Sequence, residues 1–424
     1  MIVFLIKGLL RDRSRSLFPV ITVTIGVMLT VFLHAWLKGE MGDIARSNAN
    51  FTTGHVRIMS RAYAENKSQI PNDLALLGVE DLLGQLRLQY PDLQWVKRIR
   101  FGGLLDVPDS RGETSTQGPA IGLAIDLLSE ESSEVQTLNI EASLVRGQLP
   151  SMSGEVLVSD EFAEKLKLQP GGTLTLIGST MHGSMAMQNF VMAGTVKFGI
   201  NAMDRGAFLA DITDIQQTLD MDDGAGEILG YFQDGIYHDS LSLKIEEDFN
   251  RQYTHSGDEY APVMFALRNQ DGLGEYLDLA NYISFIAASI FVGAMSIVLW
   301  NVGLIGSLRR YGEMGLRLAI GEDKRHVYGS VIIESLIIGI IGSVFGTLLG
   351  LAVAYYFQVH GLDIGSMVKN SSMMMSNIIR AEITPVTFII GFIPGILSTL
   401  LGAALAGLGI YKRSTAQLFK ELET

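Results

Sequence analysis

The sequence predicts an α-helical membrane protein with four transmembrane helices and a large α+β extracytoplasmic domain inserted between the first and the second. Three observations carry that prediction. Hydrophobic residues make up 48% of the 424 and mean hydropathy is +0.28; they gather into four blocks, 17–37, 279–306, 327–357 and 384–410, as membrane spans do. Residues 38–278, between the first two blocks, hold no segment long and apolar enough to span, and are numerous enough for a globular unit with its own core. Charge is divided as well. The chain carries −13 overall, yet residues 1–16, 307–326 and 412–424 together hold 12 Lys and Arg against 6 Asp and Glu. The positive-inside bias puts those stretches in the cytoplasm, which leaves the acidic excess to the outside domain. An acidic soluble part excludes nucleic acid as a partner. With no cysteine there is no disulfide, thiolate metal site or cysteine nucleophile.

Residues 1–16 set Ile2, Val3, Leu5, Ile6 and Leu9 against Lys7, Arg11, Arg13 and Arg15, the pattern of a cytoplasmic amphipathic helix lying on membrane lipid. The block 17–37 would be about 31 Å long as a helix, which matches the hydrocarbon thickness and exceeds a signal-peptide core. No small-x-small cleavage site follows, so it is expected to be an uncleaved anchor, with Trp36 as an interfacial aromatic. In the outside domain, alternation and β-branched content predict strands at 56–59, 94–105, 155–158, 173–177, 190–196, 207–209 and 241–245, and helices at 79–90, 160–168 and 212–220. The hairpin 178–188 reads GSTMHGSMAMQ. Thioethers and an imidazole suit Cu(I), but methionine is also the adaptable filler of contact surfaces. Met181, His182, Met185 and Met187 are therefore expected to form a contact tip for a periplasmic partner, with no metal.

The second span is expected at 279–306. The third, 327–357, would be about 45 Å long, so it must tilt or project beyond the bilayer. Its Gly339, Gly342, Gly346 and Gly350 make a groove for a second helix, from this chain or from another copy. Glu334 lies two turns into that span, where an ionisable group needs a partner; it is expected to brace the segment before it. An outside loop, 358–383, includes three methionines at 373–375. In the fourth span, 384–410, Pro394 beside Gly391 and Gly395 predicts a kink. The tail 411–424 returns to the cytoplasm with Lys412, Arg413 and Lys420.

Residues 309–334 read RRYGEMGLRLAIGEDKRHVYGSVIIE. Gly315 and Gly321 bracket about one and a half helical turns, too short for a core of its own, so its apolar side must rest on lipid or on another protein. Arg310, Glu313-Met314-Gly315, Arg317, Ala319-Ile320-Gly321 and Glu334 stand at spacings that resemble the macrolide-exporter-like and FtsX-like permeases of ABC transporters, which include the lipoprotein-releasing permeases. Met314 replaces the usual Ile, and Glu322 stands where a small residue is common. The outside domain is similar too, with Gly147-Gln148-Leu149-Pro150, Leu168-Gln169-Pro170-Gly171 and Asp204; Gly172 replaces the usual Asp.

The resemblance implies that residues 307–326 are a coupling helix region, with Arg310, Glu313, Met314, Gly315, Leu316, Arg317, Ala319 and Gly321 coupling to an ATPase subunit dimer and Glu334 bracing them. It implies a β-rich subdomain, about 126–235, inserted in an α/β subdomain. It also implies a second permease copy, identical or not, in the inner membrane, and a periplasmic carrier or adaptor. ATP hydrolysis would move the outside domains, a mechanism called mechanotransmission, to export or release a lipoprotein, lipid or amphipathic compound. The hairpin is shorter than the carrier hook of lipoprotein-releasing permeases and lacks its proline. An FtsX-like scaffold regulating cell-wall hydrolases is the alternative.

The 424 residues contain no Gly-x-x-x-x-Gly-Lys-Ser/Thr, so this chain is expected to bind no cofactor, with ATP and Mg held by a separate ATPase subunit. They contain no His-Glu-x-x-His or Gly-x-Ser-x-Gly either, and the seven histidines have no ligand spacing. No catalytic constellation supports an enzyme reading.

Overall fold

The computed structural model describes residues 13–109, 111–130, 132–253, 257–308, 316–363, 374 and 378–412. The chain divides into an α+β unit, Ile44–Leu277 with Asp363–Ile378, and a helical unit, Met1–Asp43, Asp278–Leu362 and Ile379–Thr424.

The strands of the α+β unit are, in chain order, β1 (Val56–Ser60), β2 (Leu76–Leu77), β3 (Leu93–Pro108), β4 (Thr114–Ile125), β5 (Leu144–Gly147) and β6 (Glu155–Ser159). They continue as β7 (Thr173–Ser179), β8 (Met185–Val196), β9 (Ala207–Asp211), β10 (Gly224–Ala225), β11 (Glu227–Phe232) and β12 (Pro262–Ala266). The long strand β3 serves two sheets. Its first half, Leu93 to Arg98, pairs with β11 and extends an antiparallel order β12-β1-β11-β3. Its second half, from Ile99, pairs with β4 on one side and β7 on the other. From β4 the pairing runs to β9, β6, β8 and β7, and β7 returns to β3. Six strands thus close into a barrel, which leaves no free edge.

Each half has its own core. Phe101, Phe162, Phe190 and Phe208 fill the barrel, with the Phe101 and Phe208 rings edge to face at 5.4 Å. The other sheet is covered by the helices Val79–Gln89 and Asp239–Tyr253, which bury Leu83, Leu86, Ile245 and Phe249 against Ile58 and Ile228. A third cluster joins Leu157, Phe198 and Leu209 to Met374, whose N–H donates to the Lys197 carbonyl at 2.9 Å.

Two expectations are corrected here. The β-rich part begins at Ile99 inside β3, not near 126, and its last strand ends at Asp211; the surrounding α/β part uses the residues on either side. The strand expected at 241–245 is helical, within Asp239–Tyr253, because Ser242, Ile245 and Phe249 recur at helical and not at two-residue spacing.

His55, beside β1, is buried among aromatic rings. Its Nδ1 accepts a hydrogen bond from the Phe232 N–H at 3.0 Å and its ring stacks on Phe232. Burial pushes its pKa down from 6.5 to about 4. The folded state therefore holds His55 neutral while the unfolded chain takes up a proton below pH 6.5, so stability is complete above that value. It is lost as pH falls toward 4, by roughly 3 kcal/mol in total. Urea unfolding of the detergent-solubilised chain at pH 7.5 and 4.5 checks this: His55→Asn, which keeps an acceptor and does not titrate, is expected to lose less stability on acidification than the wild type.

In the helical unit, the helix Arg13–Asn48 contains the expected first span, Leu273–Leu308 the second and Lys324–His360 the third. The fourth is divided into Thr387–Ile390 and Phe392–Lys412. Pro394 offers no N–H to the residue 390 carbonyl, so the expected kink takes the form of a break at Gly391. Among the described residues, Leu17–Thr53, Lys324–His360 and Thr387–Leu405 are long and apolar enough to cross a membrane. Together with the large α+β unit in the same chain, this is the organisation of a membrane protein. Trp36 packs edge to face on Phe357 at 5.7 Å. Residues 1–12 and the tail beyond 412 lie outside the described residues.

The glycine groove of the third span is filled from within the chain. Side-chain carbons placed on Gly342 and Gly346 would come within 2.6 Å of Val23 and Val27 of the first helix, and one on Gly350 within 2.8 Å of Val31. Gly339 faces Gly395, Ile396 and Thr399 of the fourth. Of the two alternatives for this groove, the structure shows packing inside one chain, where absent side chains let backbones approach closely.

Candidate functional site

Residues 316–319 form the described part of the short helix between the second and third spans. It is closed by three hydrogen bonds, Ile320 N–H to the Leu316 carbonyl (3.1 Å), Gly321 N–H to Leu318 (3.2 Å) and Glu322 N–H to Arg317 (3.0 Å). Gly321 has φ +96°, the left-handed backbone that ends a helix and that glycine adopts without strain. Asp323 then caps the helix Lys324–His360. The chain reverses within three residues, so the short helix is held at a fixed place on the third span.

Packing, a hydrogen bond and ion pairs fasten it there. Leu318 packs with Val327, Val331, Ile332 and Ala403. Arg317 donates from Nη1 to the Ser330 hydroxyl at 3.4 Å and pairs through Nε with Glu322 at 3.7 Å. Glu322 lies 3.7 Å from His326 on its other oxygen. Tyr328 donates to the Ala404 carbonyl at 3.4 Å, tying the third span to the fourth beside the same site. With these anchors facing inward, Leu316 (56% exposed), Ala319 and Ile320 (77% exposed) face outward. A tip of exposed apolar side chains one turn apart thus stands on a charged brace.

The expected coupling residues separate into two groups. Leu316 and Ala319 lie on the exposed face, Gly321 makes the turn, and Arg317 points back into the brace. Arg310, Glu313, Met314 and Gly315 lie outside the described residues. Glu334, half-buried, lies one turn beyond Ser330. The residues that sequence reasoning missed are Leu318, Glu322 and Ser330. Glu322 was visible as a departure from the motif, and its charge answers Arg317 and His326.

At the hairpin, the turn is closed by the Thr180 N–H on the Ser184 carbonyl and the Gly183 N–H on Thr180. Met185 and Met187 alternate outward, exposed at 75% and 60%, while Met181 packs against the barrel core and His182 is exposed. Of the four residues expected at a contact tip, His182, Met185 and Met187 are exposed and Met181 is not. Among the described residues no group of three or more His, Cys, Asp or Glu is arranged to hold a metal.

Residues 285–415 match the family model of the FtsX-like permease C-terminal region. The chain is 21% identical over 412 residues to a probable export ATP-binding/permease protein MacB of Pseudomonas entomophila, covering 91% of this chain and 55% of that protein. It is 20% identical over 403 residues to the macrolide export ATP-binding/permease protein MacB of Campylobacter jejuni, covering 92% and 58%. The chain therefore spans little more than half the length of these relatives. The periplasmic region of MacB from Actinobacillus actinomycetemcomitans aligns with 55% of this chain and 95% of its own length, at 11% identity and a TM-score of 0.37.

Proposed function

We propose that this chain, which carries an FtsX-like permease C-terminal region at residues 285–415, is the membrane subunit of an ABC export system. Four helices cross the inner membrane, and the α+β unit stands on the periplasmic side. An ATP-binding partner docks on Leu316, Ala319 and Ile320, and hydrolysis of its Mg–ATP moves the spans and, through them, the α+β unit. The observation that carries this reading is the short helix itself, fastened to the third span by Leu318 and Arg317 with its apolar face left open. A motion imposed on that face is handed to the third span because the linkage is short and braced. Two uninterrupted helices, Arg13–Asn48 and Leu273–Leu308, each have residues in both units, which supports mechanotransmission.

The names of the relatives favour export of an amphipathic compound over a scaffold that regulates wall hydrolases. The exposed Met185 and Met187 suit a periplasmic carrier or adaptor, and a second permease copy completes the assembly. The test is co-purification of the full chain from its native membrane with an ABC ATP-binding protein. Recovery of that protein, with ATP hydrolysis that depends on the chain, is the expected result. A chain that purifies without it, and a candidate partner whose hydrolysis ignores the chain, would refute the proposal.

A further inference from the structure

The helix Arg13–Asn48 closes in a π turn, Ala49–Thr53. A helix end presents carbonyls without intrahelical donors and the negative end of its dipole. In this turn all five carbonyls are taken up inside the α+β unit. The Ala49 and Asn50 oxygens accept from the Tyr231 hydroxyl (3.2 and 3.3 Å), and the Asn50 oxygen also from Arg98 at 2.8 Å. Arg98 and Arg100 reach the Phe51 oxygen at 3.4 and 3.3 Å, and Arg100 and Arg57 the Thr52 oxygen at 3.1 and 3.4 Å. Gln270 donates to the Thr53 oxygen at 3.3 Å. Three guanidinium groups on one helix end exceed what a cap needs.

Their counter-charges lead to the other long helix. Arg98 is held by Glu134 through two bonds of 2.8 and 2.7 Å, both side chains wholly buried. Glu227 of β11 pairs with Arg100 at 3.0 Å and with Arg57 at 3.5 Å. Arg57 also reaches Asp271 at 3.4 Å, and Lys67 holds the other Asp271 oxygen at 2.6 Å. Asp271 follows Gln270, whose carbonyl accepts the N–H of Leu273, the first residue of Leu273–Leu308. Arg57 thus touches the end of one long helix, the central sheet and the turn that starts the other.

From this geometry we infer that the buried arginine cluster is the joint through which the two long helices act on the α+β unit, with Arg57, Arg98 and Arg100 as positioning residues. The inference rests on the permease reading for its role and on the hydrogen bonds above for its existence. Pulling either helix end away takes hydrogen-bond acceptors from buried guanidinium groups that Glu134 and Glu227 hold to the α+β unit, so the ends move with the sheet and with each other.

Arg57→Met tests it in the full chain. Glu227 keeps Arg100 and Asp271 keeps Lys67, so no acid is stranded and folding is retained. Hydrogen exchange is expected to rise about tenfold at residues 50–54 and 271–276 together, with β1 and β11 within about threefold of wild type. When the ATP-binding partner turns over ATP, the wild-type α+β unit is expected to show nucleotide-dependent exchange. The variant is expected to lose that response while hydrolysing within about twofold of the wild-type rate. Release of one segment alone, or a full nucleotide response in the variant, would overturn the joint. A wild-type chain that stimulates no hydrolysis would instead sink the permease reading, while the paired release still decides on the joint. Arg57→Lys keeps the charge but cannot span all three partners, and it gives the same result by the same measurements where Arg57→Met fails to fold.

Discussion

Ile320→Asp is expected to lower the ATP-binding partner's chain-dependent hydrolysis, and export with it, by at least about tenfold, while the amount of chain in the membrane stays unchanged. Ile320 is the most exposed apolar side chain of the short helix and makes no part of its brace. An apolar tip buried in a partner's groove becomes, with a carboxylate, a charge without a counter-ion, the costliest kind of interface change. Leu316→Asp should act alike. Leu318→Ala differs: it removes packing against Val327 and Val331, so the partner still binds and the link from docking to the span is loosened. Measuring partner binding and hydrolysis separately distinguishes the two.

The second large effect falls on the helix core. Gly346→Val places its first side-chain carbon within 2.6 Å of both the Thr24 carbonyl and the Val27 side chain, each on the first helix. Two backbones at that separation cannot yield to a branched side chain, so the loss is expected to exceed the roughly 1–3 kcal/mol usual for overpacking. Gly329 lies in the same helix with nothing within 4 Å of its would-be side chain. Gly329→Ala is expected to be neutral or to stabilise by about 0.5–1 kcal/mol. Thermal unfolding of the two variants in detergent checks the contrast; equal effects would refute intrachain packing as the purpose of the groove.

The parts of the fold that were legible in the sequence have strong local signals. The helix Val79–Gln89 and strands such as β6 and β7 follow from period alone. The span blocks follow from length and apolarity. Strand β4 was hidden because Gly118, Pro119 and Gly122 are weak strand formers; a side-chain carbon at Gly122 would collide with the ring of Phe101, its register partner across the β3–β4 pairing. Barrel closure itself depends on β7 finding β3, a pairing that no local pattern encodes. The motif from Arg310 to Glu334 was legible as spacing, yet spacing assigns no directions to side chains, and the Arg317 guanidinium turns to Ser330 and Glu322. The arginine cluster left no sequence signal at all, since Arg57, Arg98, Arg100, Glu227 and Asp271 meet only after both sheets are assembled.

The absence of native cysteine makes one measurement decisive. Ile320→Cys and Met185→Cys each supply a single thiol, to be probed with a membrane-impermeant maleimide in intact and in inverted vesicles. The account predicts that position 320 reacts only from the cytoplasmic face and is shielded when the ATP-binding partner is present, and that position 185 reacts only from the opposite face. Labelling of position 320 from outside, or undiminished labelling with the partner bound, would contradict it.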